Sequence, residues 1–459
     1  MMQDEPRNIS MMMDLYEMTM ANGYFTGAEA DDSVTFDVFY RKGKYRRRYI
    51  LFHAIFAGLE QVLDYLENMH FEDKDIEYLR SLNIYDGDFL DWLAEYRFSG
   101  SVTAMPEGSI MYPNEPILTV CAPLIDAQLV ETAILTHINH QSLIATKTNR
   151  IVQSAGGRMV ADFGARRAHN IDAAVYGARA AYIGGAASTA TVLAGEMFGI
   201  PVSGTMAHSW VMYHDDEYTA FKHFAELYPD NSVLLVDTYD VLELGVPNAI
   251  RVAKEVLIPM GKRLKGIRLD SGDLAYLSKS ARRMLDEAGL TDCKIVASNS
   301  LDEFTIRSIL GQGGCIDSFG VGERLITAKS DPVFGAVYKL VAVHKNKICF
   351  PKIKVSETFE KITNPGKKRV WRVYNKQGYA VADLLTMADE IPDFSGEYYY
   401  IDPQKPWKSA AFTECTVREM QETVMINGKR VKASPSLEDI RNYVRRQLDT
   451  EVWPEEQRV

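Results

Sequence analysis

The chain has 459 residues, of which 46% are apolar and 25% charged, and a net charge of −11. That length asks for two or three domains, and the acidic balance argues against a general nucleic-acid binder, because phosphate backbones select basic surfaces. Five cysteines without a C-x-x-C pair argue against a structural zinc site and suit a reducing compartment. The polar start MMQDEPRNIS lacks a signal-like apolar core, and no run of 18 apolar residues suggests a membrane span.

In chain order, DLYEMTMANGYF predicts a short helix capped by Asp14 and ended by Gly23. SVTFDVFY predicts a strand. Residues 50–66 predict a mostly buried helix, and residues 101–108 and 116–123 a strand pair. Leu124 to Arg150 holds no glycine or proline and predicts a long helical stretch. The basic run RKGKYRRRY (41–49) reads first as a solvated loop and second as a loop reaching an anionic substrate.

From about residue 158, six short apolar segments each end in a polar or glycine cluster. RMVADFGARR ends in Asp162 and Arg166, GIPVSGTMAH in Thr205 and His208, and SVLLVDTYD in Asp237 and Thr238. LKGIRLDSGD ends in Arg268, Asp270 and Asp273, CKIVASNSLDE in Ser298 and Asn299, and CIDSFGVGERL in Gly320 and Gly322. Between two of them, Leu274, Leu277, Ala281, Met284 and Ala288 mark a helix face, with Gly289 as its end. Such β-then-α units predict a parallel sheet covered by helices, with site residues at the strands' C-terminal ends. A barrel is favoured over an open doubly wound sheet, because all six ends carry site-like residues. After about 345 the pattern breaks into short β segments around Asn364-Pro365-Gly366 and a final amphipathic helix, SLEDIRNYVRRQL. Three regions follow: 1–130 mixed α/β, 131–345 barrel, and 346–459 a small α+β C-terminal part.

Each cluster has a chemical and a plain reading. In LDSGD (269–273) the carboxylates suit ribose hydroxyls or hydrated Mg²⁺, or else cap a helix. The glycines of SFGVGERLIT (318–327) suit a phosphate, or a tight turn. In DFGARR (162–167) an arginine suits a carboxylate or phosphate and Phe163 a flat ring, against a surface ion pair. His208 of GTMAHSW (204–210) reads as a general base, a metal ligand, a nucleophile or a satisfied core histidine.

Taken in order, DLYEMTM, SLIATKTNR, DFGARRAH, GTMAHSW, RLDSGD, ASNSLDE, FGVGERLIT and VYKLVAV resemble the nicotinate phosphoribosyltransferase family. The resemblance implies an irregular, incomplete α/β barrel with a mixed α/β N-terminal domain. It implies ATP-coupled transfer of phosphoribose from phosphoribosyl pyrophosphate to nicotinate, giving nicotinate mononucleotide in NAD salvage. His208 is then the residue ATP phosphorylates, with Ser209 supporting the phosphate. Tyr16, Thr205 and Arg268 contact nicotinate, with Phe163 stacked on it, and Asp270 lies near the ribose or its Mg²⁺. Gly320, Gly322 and Thr327 hold the phosphoribosyl phosphate. Arg166 is an anion ligand, with Arg167 as its rival. Asp273, Ser298 and Asn299 complete the substrate site, and no metal ligands are assigned. The resemblance also implies a homodimer, while the composition predicts a cytoplasmic protein with no nucleic-acid or membrane partner. The rivals are a nicotinamide or quinolinate enzyme and a non-catalytic nucleotide-binding barrel.

Overall fold

The computed structural model describes residues 7–27, 32–41, 53–346, 348–355, 357, 362–402 and 406–452. They form two compact units, one of residues 1–143 with 333–459 and one of residues 144–332.

The first unit begins with a helix over Leu15–Thr26, where Asp14 and Glu17 form a capping box. The helix runs through Gly23 and stops at Gly27, so the expected end at Gly23 is corrected. An isolated glycine weakens a helix by about 1 kcal/mol without ending it, and here the apolar face continues to Tyr24 and Phe25 on the core. Strand β1 (Ser33–Tyr40) is buried from its second residue onward, as befits a central strand. The expected helix over 50–66 is corrected as well. Its described part is the short strand β2 (Ala54–Ile55) and a helix that starts only at Leu59. Gly58 sets that start with φ +102°, and an added Cβ would lie 2.7 Å from the His137 carbonyl oxygen. Strands β3 (Ser101–Ala104) and β5 (Leu118–Pro123) pair antiparallel as expected, and β4 (Ile110–Met111) pairs with β2. The stretch after Leu124 is two helices, Leu124–Gln128 and Glu131–Ser154.

The second unit holds β6 (Met159–Asp162), β7 (Ser188–Thr189), β8 (Val233–Leu235), β9 (Gly266–Leu269), β10 (Lys294–Ala297) and β11 (Ser318–Val321). All pairings are parallel, in the order β7-β6-β11-β10-β9-β8. Apart from β7 and β8, which form the two edges, neighbours in sequence are neighbours in space, and the last strand pairs with the first. A single bridge, Thr189 to Val202, extends the far edge. Among the described residues nothing pairs Val202 with β8, so the cylinder stays open there, an incomplete barrel. GTMAHSW occupies this gap in the strand sequence. The strand expected at GIPVSG is therefore only a bridge, while the two-residue β7 carried no legible signal.

The chain then returns to the first unit. Strands β12 (Ala336–Lys345) and β13 (Ile348–Pro351) extend the sheet beyond β1, and β19 (Glu422–Ile426) and β20 (Lys429–Arg430) extend it beyond β3. Strands β13, β19 and β20 thus complete the sheet that begins at Ser33. A smaller sheet joins β14 (Lys368–Tyr374), β15 (Ala380–Met387) and β18 (Thr416–Glu419), and β16 (Tyr398–Ile401) pairs antiparallel with β17 (Ser409–Phe412). The final helix, Leu437–Thr450, is capped by Ser436.

Candidate active site

The second unit gathers its polar residues at the C-terminal ends of β8, β9 and β10. Arg268 lies between the fully buried Ile267 and Leu269, so the pleat turns its side chain to the opposite face. The guanidinium is 11% exposed and spends four of its five N–H donors within the protein. Nε donates to Ser298 Oγ (2.9 Å), Nη1 to Thr205 Oγ1 (2.8 Å) and the Met206 carbonyl (3.3 Å), and Nη2 to Asp270 Oδ1 (3.1 Å). It stands 5.7 Å from the centroid of the Phe163 ring. The register of β9 on β10 explains Ser298, whose backbone N–H donates to the Leu269 carbonyl. Its hydroxyl in turn donates to Asp270 Oδ1.

Asp270 is partly buried, which by itself raises its pKa. The Ser298 hydroxyl and the Arg268 guanidinium outweigh that and hold the carboxyl below its ordinary range. Its backbone N–H donates to Asp237 Oδ2 (2.9 Å), which also accepts from Ser271 Oγ (2.6 Å). Asp237 Oδ1 is buried without a hydrogen-bond partner. His208, the first residue of the helix His208–Tyr213, faces both acids. Its Nε2 lies 3.7 Å from Asp270 Oδ2 and 4.0 Å from Asp237 Oδ1, and its Nδ1 lies 3.2 Å from Thr238 Oγ1. The imidazole side chain is 40% exposed, so one side remains open to a ligand.

Buried Asp162 organises the turn that presents Phe163. Its carboxylate accepts from the Gly164 N–H and the Thr189 hydroxyl, both at 2.8 Å, while burial raises its pKa. Phe163 lies over Gly320, where an added Cβ would come within 2.4 Å of the ring. Gly320 is thus the seat of Phe163, a packing role the sequence did not suggest. Gly322 caps the four-residue helix Glu323–Ile326, and Thr327 Oγ1 donates to the Glu323 carbonyl (2.8 Å).

The structure therefore brings Phe163, Thr205, His208, Arg268, Asp270 and Ser298 into one cluster. Other expected site residues sit differently. Asp273 caps the helix Leu274–Glu287 by accepting from the N–H groups of Ala275 and Tyr276. Asn299 (φ 76°) and Ser300 (φ 49°) form an exposed left-handed turn after β10. Ser209 is exposed beside His208. Arg166 and Arg167 are exposed on a 3₁₀ turn, and the charge of Arg167 is among those that lower the Glu323 pKa. Tyr16 belongs to the first unit, beside Glu131, and burial is the main cause of its raised pKa. The basic run 42–49 lies outside the described residues.

Asp237 and Thr238, which the sequence marks only as a strand end, complete the histidine's surroundings. Their signal was the one Asp270 also carried, an acid just after an apolar strand. Lys147 was missed altogether. It is buried within the helix Glu131–Ser154 and donates to Glu303 (2.6 Å) and Ser330 (2.7 Å). No group of three or more His, Cys, Asp or Glu suited to a metal occurs among the described residues. No helix there is long and apolar enough to cross a membrane.

Residues 11–139, 159–383 and 367–459 match the profiles of the nicotinate phosphoribosyltransferase N-terminal domain, family and C-terminal domain, respectively. The chain is 45% identical over 455 residues to a nicotinate phosphoribosyltransferase of Bacillus subtilis, covering 98% of this chain and 91% of that protein. It is 41% identical to the pncB2 nicotinate phosphoribosyltransferase of Mycobacterium tuberculosis, covering 96% and 87%. The crystal structure of human nicotinic acid phosphoribosyltransferase matches with a TM-score of 0.86 at 28% identity, covering 97% of this chain and 95% of that one.

Proposed function

The chain belongs to the nicotinate phosphoribosyltransferase family, and we propose that it runs that reaction coupled to ATP, with His208 as the phosphorylated residue. Its activity is the transfer of phosphoribose from phosphoribosyl pyrophosphate to nicotinate, a step of NAD salvage. The observation that carries the ATP-coupled reading is the placement of His208. A half-exposed imidazole sits between two carboxylates, beside the Arg268 fork. In the coupling step a ring nitrogen attacks the γ-phosphorus of ATP. The N–P bond forms as the bond to the ADP oxygen breaks, and the ring proton passes to a neighbouring carboxylate. Phosphohistidine adds negative charge and acceptor oxygens at the open side of the ring, able to order nearby segments through charge-assisted hydrogen bonds.

Phe163 supplies a flat face for the pyridine ring, and Arg268 a cation for its carboxylate. Only one guanidinium N–H is uncommitted, so a two-pronged grip on nicotinate displaces an internal partner such as Asp270 or Thr205. Asp237 Oδ1 and Asp270 Oδ2 are hard oxygen donors that fit Mg²⁺, which would offset the charge of the pyrophosphate. We also read the protein as a cytoplasmic homodimer that shares its substrate sites between the subunits.

The deciding experiment combines phosphoribosyl pyrophosphate with nicotinate, nicotinamide or quinolinate, each with and without ATP. Nicotinate mononucleotide with ATP stimulation is expected. Incubation with γ-labelled ATP should place an acid-labile, alkali-stable label on His208. His208→Ala should abolish ATP hydrolysis and stimulation while leaving weak, ATP-independent synthesis. Label on another residue, or ATP stimulation of the variant, overturns the assignment, and equal efficiency with nicotinamide overturns the choice of base. Full activity of a monomer in light scattering excludes the shared site.

A further inference from the structure

Just beyond the His208 helix stands a second histidine cluster that the reaction does not use. His214 follows the helix His208–Tyr213, and His223 lies in the helix Glu217–Leu227. Their rings meet edge on, His214 Nε2 to His223 Nδ1 at 3.0 Å, with centroids 5.3 Å apart and planes at 69°. Both rings lie against the indole of Trp210, at centroid distances of 4.8 and 5.2 Å. The indole is itself fixed by its N–H donating to the Ala220 carbonyl (3.0 Å). His214 Nδ1 lies 2.8 Å from the Trp210 carbonyl, which can only accept. In the neutral ring Nδ1 therefore carries the proton and Nε2 the lone pair, to which the His223 Nδ1–H donates.

We propose that His214 and His223 form a two-imidazole site for a divalent transition-metal ion, with Cu²⁺ the preferred occupant. Imidazole nitrogens about 2.0 Å from a metal stand roughly 2.8 Å apart when cis in a tetragonal site and roughly 3.3 Å apart in a tetrahedral one. The observed 3.0 Å falls between these values, and each ring has to pivot by roughly 35–45° for its lone pair to turn from the other nitrogen to the ion. Donation of the other ring N–H to a backbone carbonyl is the outer-shell contact that metal-binding histidines habitually make, and His214 has it already. His223 is exposed. On binding, its proton moves through water from Nδ1 to Nε2, so the ring stays neutral and two lone pairs face the metal. Two protein nitrogens hold the ion, with water filling the other positions. The order of divalent affinities places Cu²⁺ above Ni²⁺ and Zn²⁺. An occupied site would tie the end of the His208 helix to the helix Glu217–Leu227.

Trp210 makes the test direct, because bound Cu²⁺ quenches an adjacent indole. Tag-free protein is titrated with CuCl₂ while tryptophan emission is followed. Saturable quenching at one equivalent is expected, with His214→Ala and His223→Ala each weakening the apparent affinity at least about tenfold, as loss of one of two ligands requires. Trp210→Phe should lose most of the quenching. Both histidines are at least partly exposed, so the variants should keep wild-type circular dichroism. Quenching unchanged in both histidine variants, or no saturable quenching, overturns the proposal.

Discussion

Arg268 is committed through four N–H groups to Ser298, Thr205, Met206 and Asp270, a geometry only a planar fork can satisfy. Lysine keeps the charge but loses that planar fork. Truncating one partner of a desolvated charge pair costs about 2–5 kcal/mol. Arg268→Lys should therefore lower kcat/KM for nicotinate by about 30-fold or more, and steady-state kinetics at saturating phosphoribosyl pyrophosphate would show it. Unchanged nicotinate kinetics would remove Arg268 from base recognition. Gly320 makes a second claim at this scale. A methyl group there meets the Phe163 ring at 2.4 Å, and the ring has to move. Overpacking of this kind costs about 1–3 kcal/mol. Gly320→Ala should raise the KM for nicotinate more than that for ATP. Equal changes in both would mean that Phe163 does not seat the base.

At the scale of elements, the sequence exposes strand ends better than strand edges. Strands β6, β8, β9, β10 and β11 were legible as apolar runs because helices cover a parallel sheet and no alternation is needed. Strand β7 has two residues, too few for any period, and the segment at Val202 makes one bridge. The long helix reading failed at Leu129–Val130, a break with no glycine or proline to announce it. The chemistry at the site was legible where an acid or base follows an apolar run, as at Asp270 and His208. The bond pattern around Arg268 was not, since it joins residues 205, 268, 270 and 298, which only the parallel register makes neighbours. Asp273 tests the two readings of LDSGD. As the cap of a 14-residue helix it accepts two N–H groups, and its removal should cost about 1 kcal/mol. If capping is its whole role, Asp273→Ala lowers the urea midpoint and leaves each KM within about twofold, less than the loss of any substrate hydrogen bond would give. A KM for phosphoribosyl pyrophosphate raised well beyond that assigns the carboxylate to the substrate.

For the molecule as a whole, the acidic chain buries several carboxyl groups, and they link stability to pH. The sharpest case is in the first unit, where Glu115 packs against Asp383 and Arg372. Burial first, and then the charge of Asp383 and a hydrogen bond with it, push the Glu115 pKa well above the ordinary range. The charge of Arg372 and the Tyr112 N–H oppose this without reversing it. Arg372 is meanwhile held by both Asp383 oxygens, at 2.9 and 2.7 Å, so its charge is already committed. Glu115 thus keeps its proton in the folded protein at pH values where the unfolded chain has lost it. A folded state that binds more protons is stabilised as pH falls. The contribution of Glu115 is fully present below the unfolded pKa of about 4.3 and is lost as pH rises through the raised folded value. Glutamine mimics the protonated carboxyl, and its N–H can donate to Asp383 in place of the carboxyl proton. The difference in unfolding midpoint between Glu115→Gln and the parent should therefore grow in favour of the variant as pH rises above the ordinary carboxylate range. Urea unfolding followed at a series of pH values measures this difference and cancels the slopes of the other buried acids. A difference that stays constant with pH would mean that Glu115 is ionised in the folded protein and that the Asp383 oxygens serve Arg372 alone.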